Sequence, residues 1–200
     1  MAPRSDAKQR MVKAAQQLIR ERGYHATAIA DVLERSAAPR GSVYFHFPGG
    51  KTQLAVEAAD AHAHQQVTLI DRAAAQSDSA VQLVELYVDL ARDGMADSGY
   101  TRGCGIAPLV TEGAGESEEI AAAGSRGFSM MIDRLAFHFV ALGLEGAAAR
   151  LLADAVVTAV EGALVTARAL RRTSPFDAVR TVLVSHVASV APRSGAHRRR

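Results

Sequence analysis

Apolar residues along the chain recur at intervals of three and four, and alternating β-branched runs are scarce, so the pattern predicts an all-α fold. The first stripe, Met11, Ala14, Ala15, Leu18 and Ile19, predicts a helix from Ser5 as N-cap to Arg22, ended by Gly23. Thr27 is placed to cap a second, short helix over 28–35, whose apolar face is Ile29, Val32 and Leu33. After a turn at 36–38, Pro39 suits the first position of a third helix, where its missing N–H leaves no bond unmade. Val43 and Phe47, four apart, would hold that helix to the protein and leave Arg40, Ser42, Tyr44 and His46 facing outward. Two short helices across a tight turn, braced by a longer one, describe a helix-turn-helix.

Pro48, Gly49 and Gly50 interrupt the pattern, and a long helix is expected over 51–75. Leu83, Val84, Leu86, Tyr87, Val88 and Leu90 crowd a helix over 81–97, which suggests burial on most of its sides. A glycine-rich loop at 98–105 leads to a short apolar helix near 106–111 and a second loop at 112–116. The next helix should run from Ser117 to Gly143 on a stripe of Phe128, Met131, Ile132, Leu135 and Phe139. A further one over 145–171 would turn Leu151, Leu152, Ala155, Val156, Ala159, Val160, Ala163 and Leu164 inward. Ser174 and Pro175 then open a last helix as N-cap and first position, with Phe176, Val179, Leu183, His186, Val187 and Val190 along one face. That makes about nine helices. Ala155, Ala159 and Gly162 offer a face with little side chain, and with Val179, Leu183 and His186 they are the candidates for packing between two copies of the chain.

Composition adds a core and charge adds a direction. Of 200 residues, 48% are hydrophobic, enough for a sizeable interior. No stretch approaches the roughly 20 apolar residues of a membrane span, and the N-terminus lacks the apolar run of a signal peptide, so a cytoplasmic protein is expected. The single cysteine, Cys104, has no internal disulfide partner and reads as a buried structural thiol in a reducing compartment. The net charge of +2 hides a segregation: residues 1–51 carry nine Lys and Arg against four acids, whereas 52–192 carry ten against seventeen. A basic head on an acidic body is the layout expected when only the head meets a polyanion. The division is therefore a basic helix-turn-helix head at 1–50, an acidic helical body at 51–192 and a basic tail at 193–200.

Enzymatic readings find little to stand on. Gly50-Lys51-Thr52 resembles the end of a phosphate-binding loop, but the loop's first glycine would fall on Phe45 and no strand precedes it. His62 and His64, two apart on a helix, point in different directions and make a poor metal pair. No serine, histidine and acid cluster with local spacing argues for hydrolysis. No metal, cofactor or catalytic residue is expected.

Thr27, Ile29 and Ala30, then Arg40-Gly41-Ser42-Val43-Tyr44-Phe45-His46-Phe47, then Lys51 and Leu54, resemble the DNA-binding signature of the tetracycline-repressor (TetR) family. The resemblance implies a homodimeric transcriptional regulator, usually a repressor, with a helix-turn-helix head and a divergent helical domain that binds a small molecule and dimerises through its last two helices. It implies, position by position, that Tyr44 and His46 contact the DNA backbone and that Arg40, Ser42 and Pro39 reach base edges. Gly41 would let the backbone approach, Thr27 would bind phosphate at a helix N-terminus, and Lys51 would offer phosphate a point charge. Two departures stand out. Ala37 occupies a turn position where many members carry glycine, and Pro48, Gly49 and Gly50 separate Phe47 from Lys51 where two residues are usual. This P-G-G-K form is similar to that of a subgroup regulating resistance and secondary-metabolism genes.

The residues themselves and the resemblance together predict that the third helix of each subunit enters the major groove of a partly palindromic double-stranded operator. An effector, small and mostly apolar, would sit among Leu86, Leu90, Ile106, Leu109, Phe128, Met131 and Leu135, with Tyr87, Cys104 or His62 to orient it. The rival reading is a helical enzyme that modifies a small molecule and binds no DNA.

Overall fold

The computed structural model describes the backbone of residues 4–190 and the side chains of 6–189. Among these residues there is no strand. The elements are α1 (Arg4–Arg22), α2 (Ile29–Ser36), α3 (Ser42–His46), α4 (Gly50–Ala74), α5 (Ala80–Asp97), a π-helical turn (Leu109–Gly113), α6 (Glu118–Ala141), α7 (Gly146–Leu170) and α8 (Ser174–Val190). The all-α expectation is met. No helix among the described residues is long and apolar enough to cross a membrane. The basic tail expected at 193–200 lies outside the described residues.

Several helix starts differ from the expected ones, each for a local reason. Ser5 falls inside α1 rather than capping it. Ala28, not Thr27, is the N-cap of α2 and has no polar side chain to cap with, while the Thr27 hydroxyl donates back to the Gly23 carbonyl at 2.7 Å. Pro39 precedes a turn closed by Ser42 N–H on the Pro39 carbonyl at 2.9 Å, so α3 starts three residues later and spans only five. Between 106 and 111 the chain does not form a plain α-helix: it widens into the π-helical turn. Ser174 is the first residue of α8 rather than its cap. Glu145 does cap α7, its carboxylate accepting from Ala147 and Ala148 N–H at 3.0 and 3.2 Å.

Ala37 shows what a missing glycine costs. It ends α2 at φ 50°, ψ 35°, in the left-handed region, with Ala38 N–H bonded to the Leu33 carbonyl. An L-residue there carries about 1–2 kcal/mol of strain. Ala37→Gly is accordingly expected to raise unfolding stability by about 1 kcal/mol, read from urea denaturation; an unchanged or lower midpoint would refute the strain.

The described chain falls into two compact units. The first runs to Gln66 and takes in Ser98–Met130; the second takes Val67–Asp97 and the chain from Met131 on. In the first, α1 packs on α2 around Met11, Leu18, Ile19, Val32, Val43, Phe47 and Leu54. In the second, α5 packs on α7 and α8, and those two pack on each other around Leu83, Val84, Leu152, Val156, Phe176, Leu183 and Val187. These packing units cut the chain elsewhere than at 50/51, since the segment 98–130 shares a unit with the helix-turn-helix.

Candidate nucleic-acid interface

α3 is too short to hold itself together, because a helix of one to two turns returns few hydrogen bonds for the dihedrals it fixes. Its position comes from packing: Val43 and Phe47 are fully buried. Lys8 lies over the Phe47 ring, 5.4 Å from the centroid, and pairs with Glu57 at 2.8 Å. On the other side Arg40, Gly41, Tyr44 and Phe45 are exposed, while Ser42 and His46 are half-buried. Phe45 is 72% exposed, edge-on to His46 with ring centroids 5.0 Å apart. The surface thus presents one guanidinium and two aromatic rings on a rigidly backed turn.

Most cations of the head are occupied with structure. Arg10 donates to the Ser36 carbonyl at 3.0 Å, closing the C-terminus of α2, and pairs with Asp6. Arg22 pairs with Asp31 and Arg35 with Glu21, tying α1 to α2. Among the described residues Lys13 and Arg40 are exposed with no ion-pair partner. A groove of about 660 Å³ runs beside Arg40, lined also by Ile29, Ala30, Leu33, Glu34 and Ala38.

The remaining DNA-site candidates are placed differently from expectation. Thr27 is 4% exposed and its hydroxyl donates its one proton to the Gly23 carbonyl, so that proton is not free for a phosphate. The Ser42 hydroxyl donates to the Pro39 carbonyl at 2.6 Å, which leaves it acceptor capacity only. Lys51 folds back on the α1–α2 corner: its Nζ donates to the His25 carbonyl at 3.0 Å and sits 4.6 Å from the Tyr24 ring centroid. Directly before Lys51, Gly50 sits at φ +63°, a conformation glycine adopts freely, and α4 begins there.

The effector candidates divide between the two units. In the first, His62, Cys104, Ile106 and Leu109 are buried and Phe128 is half-buried. Packing there is tight: a Cβ on Gly105 would lie 2.7 Å from the His62 ring, and one on Gly127 2.7 Å from Ile106. In the second, Tyr87, Met131 and Leu135 are buried, Leu86 is half-buried, and Leu90 is 41% exposed, so α5 is not enclosed on most sides as its crowding suggested. Leu90 is off any buried lining.

His62 is bonded through Nδ1 to Gln16 Nε2 at 3.2 Å, and burial, helped by Arg20, pushes its pKa down to about 3. The folded state therefore prefers the neutral ring. Between about pH 3 and the unfolded value near 6.5 the unfolded chain binds the extra proton, so this part of stability is present above 6.5 and lost as pH falls. Going from pH 7 to pH 5 should cost about 2 kcal/mol through this residue. Urea midpoints of His62→Gln should be correspondingly less pH-dependent than wild type, and equal losses in both would contradict the assignment.

Leu183 is 7% exposed, buried within its own chain, and Leu151, expected inward, faces solvent. Ala155, Gly162 and His186 are exposed, with Ala159 and Val179 half-buried. Val165 on α7 and Val182 on α8, each 68% exposed, are outward apolar residues that the stripes left out. The spacing 151, 155, 158, 162, 165 was visible, but two adjacent apolar stripes on one helix do not declare which faces out.

Comparison with known proteins bears on these faces as a set. Residues 11–58 match the model described as bacterial regulatory proteins, tetR family, and 80–182 match the C-terminal domain of LmrA/YxaF-like transcriptional regulators. The chain is 37% identical over 177 residues to the "Uncharacterized HTH-type transcriptional regulator Rv0196" of Mycobacterium tuberculosis, covering 86% of this chain and 89% of that one. It is 45% identical over 53 residues to the HTH-type transcriptional regulator LmrA of Bacillus subtilis, 26% of this chain and 28% of the relative. The crystal structure of regulatory protein TetR from Rhodobacter sphaeroides superposes with a TM-score of 0.81 at 25% identity, over 90% of this chain and 98% of the other. A short, firmly anchored outward helix in a basic head, matched along both halves by regulators, makes this chain a member of the tetR family of bacterial regulatory proteins, a DNA-binding transcriptional regulator.

Proposed function

We propose that the chain is a homodimeric, ligand-responsive repressor, working in the cytoplasm by binding and not by catalysis. The exposure of Arg40, Gly41, Tyr44 and Phe45 on a turn held from behind by Val43 and Phe47 carries this reading. Arg40 forks onto guanine O6 and N7 in the major groove, a contact worth roughly 1–3 kcal/mol of discrimination. Tyr44 and His46 position the helix on the backbone, and Pro39, Gly41 and Ser42 line its approach. At Thr27 the phosphate contact passes to the N–H groups opening α2, and Lys51 reaches phosphate only on leaving the His25 carbonyl. The outward faces of α7 and α8, with Ala155, Gly162, Val165, Val182 and His186, form the dimer contact, which sets two α3 helices on major grooves about 34 Å apart.

The effector is small and mostly apolar and is sensed at the buried first-unit group of His62, Cys104, Ile106 and Leu109. Because that group is close-packed, the ligand has to move the segment it displaces, and its differential affinity for the two arrangements drives release. Pro48-Gly49-Gly50-Lys51, with its left-handed Gly50, supports placement in the P-G-G-K subgroup. The test is Arg40→Ala on a panel of operator variants: affinity should fall by about 5- to 150-fold at the preferred site and preference at one guanine should vanish. An unchanged ranking of the variants would sink the role given to Arg40.

A further inference from the structure

The corner between α1 and α2 is gripped by two elements. Gly23 ends α1 at φ +92°, and a side chain there would collide with the carboxylate of Glu112, which comes from the π-helical turn. That carboxylate accepts the His25 backbone N–H at 2.7 Å, and the His25 ring Nε2 lies 2.7 Å from the Glu112 carbonyl. A carbonyl only accepts, so this nitrogen carries the proton. Gly113, next in the turn, backs onto the Tyr24 ring so closely that a Cβ would sit 3.0 Å from it. Lys51 also holds the His25 carbonyl and lies over the same ring.

The same segment is tied at its other end. Arg20 and Gly103 exchange two bonds, Arg20 Nε to the Gly103 carbonyl at 2.8 Å and Gly103 N–H to the Arg20 carbonyl at 3.0 Å. Between the two ties, Gly105 lies against the ring of buried His62 on α4. Residues 103–113 therefore touch the end of α1, the α1–α2 corner and α4, all within the first unit. The widened turn is what aims both Glu112 and Gly113 at the corner, and π turns inside helical segments recur at functional sites because their geometry is held by context. The neighbouring His25–Glu116 approach of 3.9 Å is long and exposed and adds little. An ionised acceptor on a backbone N–H is the stronger kind of bond.

We propose that Glu112 is a positioning residue for DNA binding: its clasp on His25 fixes the corner that orients α2 and α3, and makes 103–113 the handle by which the head is held or let go. This rests on the DNA-binding reading of α3. Removing a negative charge should, by Coulomb attraction alone, strengthen binding to a polyanion; the clasp predicts the opposite sign.

The experiment measures affinity of the full chain, wild type, Glu112→Ala and Glu112→Gln, for the duplex flanking its own gene, at one salt and at a temperature where all three are folded, with amide exchange read alongside. Glu112→Ala should bind about tenfold more weakly, while Glu112→Gln, whose amide oxygen still accepts from His25 N–H, stays within about threefold. Exchange at His25 should accelerate in the alanine variant while Leu18 and Ile19 stay protected. Glu112→Ala binding as tightly as wild type, unchanged exchange at His25, or a loss of affinity that only follows a loss of folded protein would each overturn the clasp. If wild type binds no DNA, the regulatory reading fails instead, and the exchange pattern alone decides whether the clasp exists.

Discussion

Replacing Phe47 by alanine is expected to lower unfolding stability by about 3–5 kcal/mol and to abolish operator binding. The ring is fully buried beneath α3 with Lys8 over one face, and the five-residue helix has no other large anchor than Val43. Phe45, two residues earlier, is the built-in control. It stands in solvent, so Phe45→Ala should change stability by no more than about 0.5 kcal/mol while weakening DNA binding through the loss of an apolar contact in the groove. Chemical denaturation and operator affinity, measured on both variants, separate the two roles. If Phe45→Ala unfolds the head, or Phe47→Ala leaves binding intact, the orientation of α3 described above is wrong.

The second large effect is at the other end of the chain. Val182→Asp places a carboxylate in the middle of the outward face of α8 and should turn a dimer into a folded monomer. With two reading heads no longer linked, the gain from an effective local concentration is lost, and operator affinity should drop by about 10²- to 10⁴-fold. The neighbouring Leu183→Asp should instead unfold the second unit, since that side chain lies inside its own chain between helices. Analytical ultracentrifugation with circular dichroism distinguishes these outcomes. A Val182→Asp protein that stays dimeric would move the interface away from α7 and α8.

Much of this was legible in the residues because helices announce themselves by period. The stripe of α1, the Val43–Phe47 pair and the stop at Gly23 each depend on a local rule, and each stands where that rule puts it. Elements whose form depends on distant partners were not legible. Nothing near Glu112 in sequence says that it reaches a corner 87 residues away. The same holds for Leu151 and Leu183: an apolar side chain does not declare by pattern whether it enters its own chain's core, so Leu151 was placed inward where it faces solvent and Leu183 outward where it is buried. Ala37 is the intermediate case, where the need for a left-handed residue was visible and the chain meets it with strain.

Whether the exposed side of α3 reads double-stranded DNA is decided by titrating the wild-type chain against the duplex flanking its own gene and a scrambled duplex of equal length, across a series of salt concentrations. Selective binding should appear, stronger for the flanking duplex by about 10³-fold or more and falling steeply with salt as phosphate counterions are exchanged. Equal affinity for both duplexes, or none for either at low salt, would contradict it.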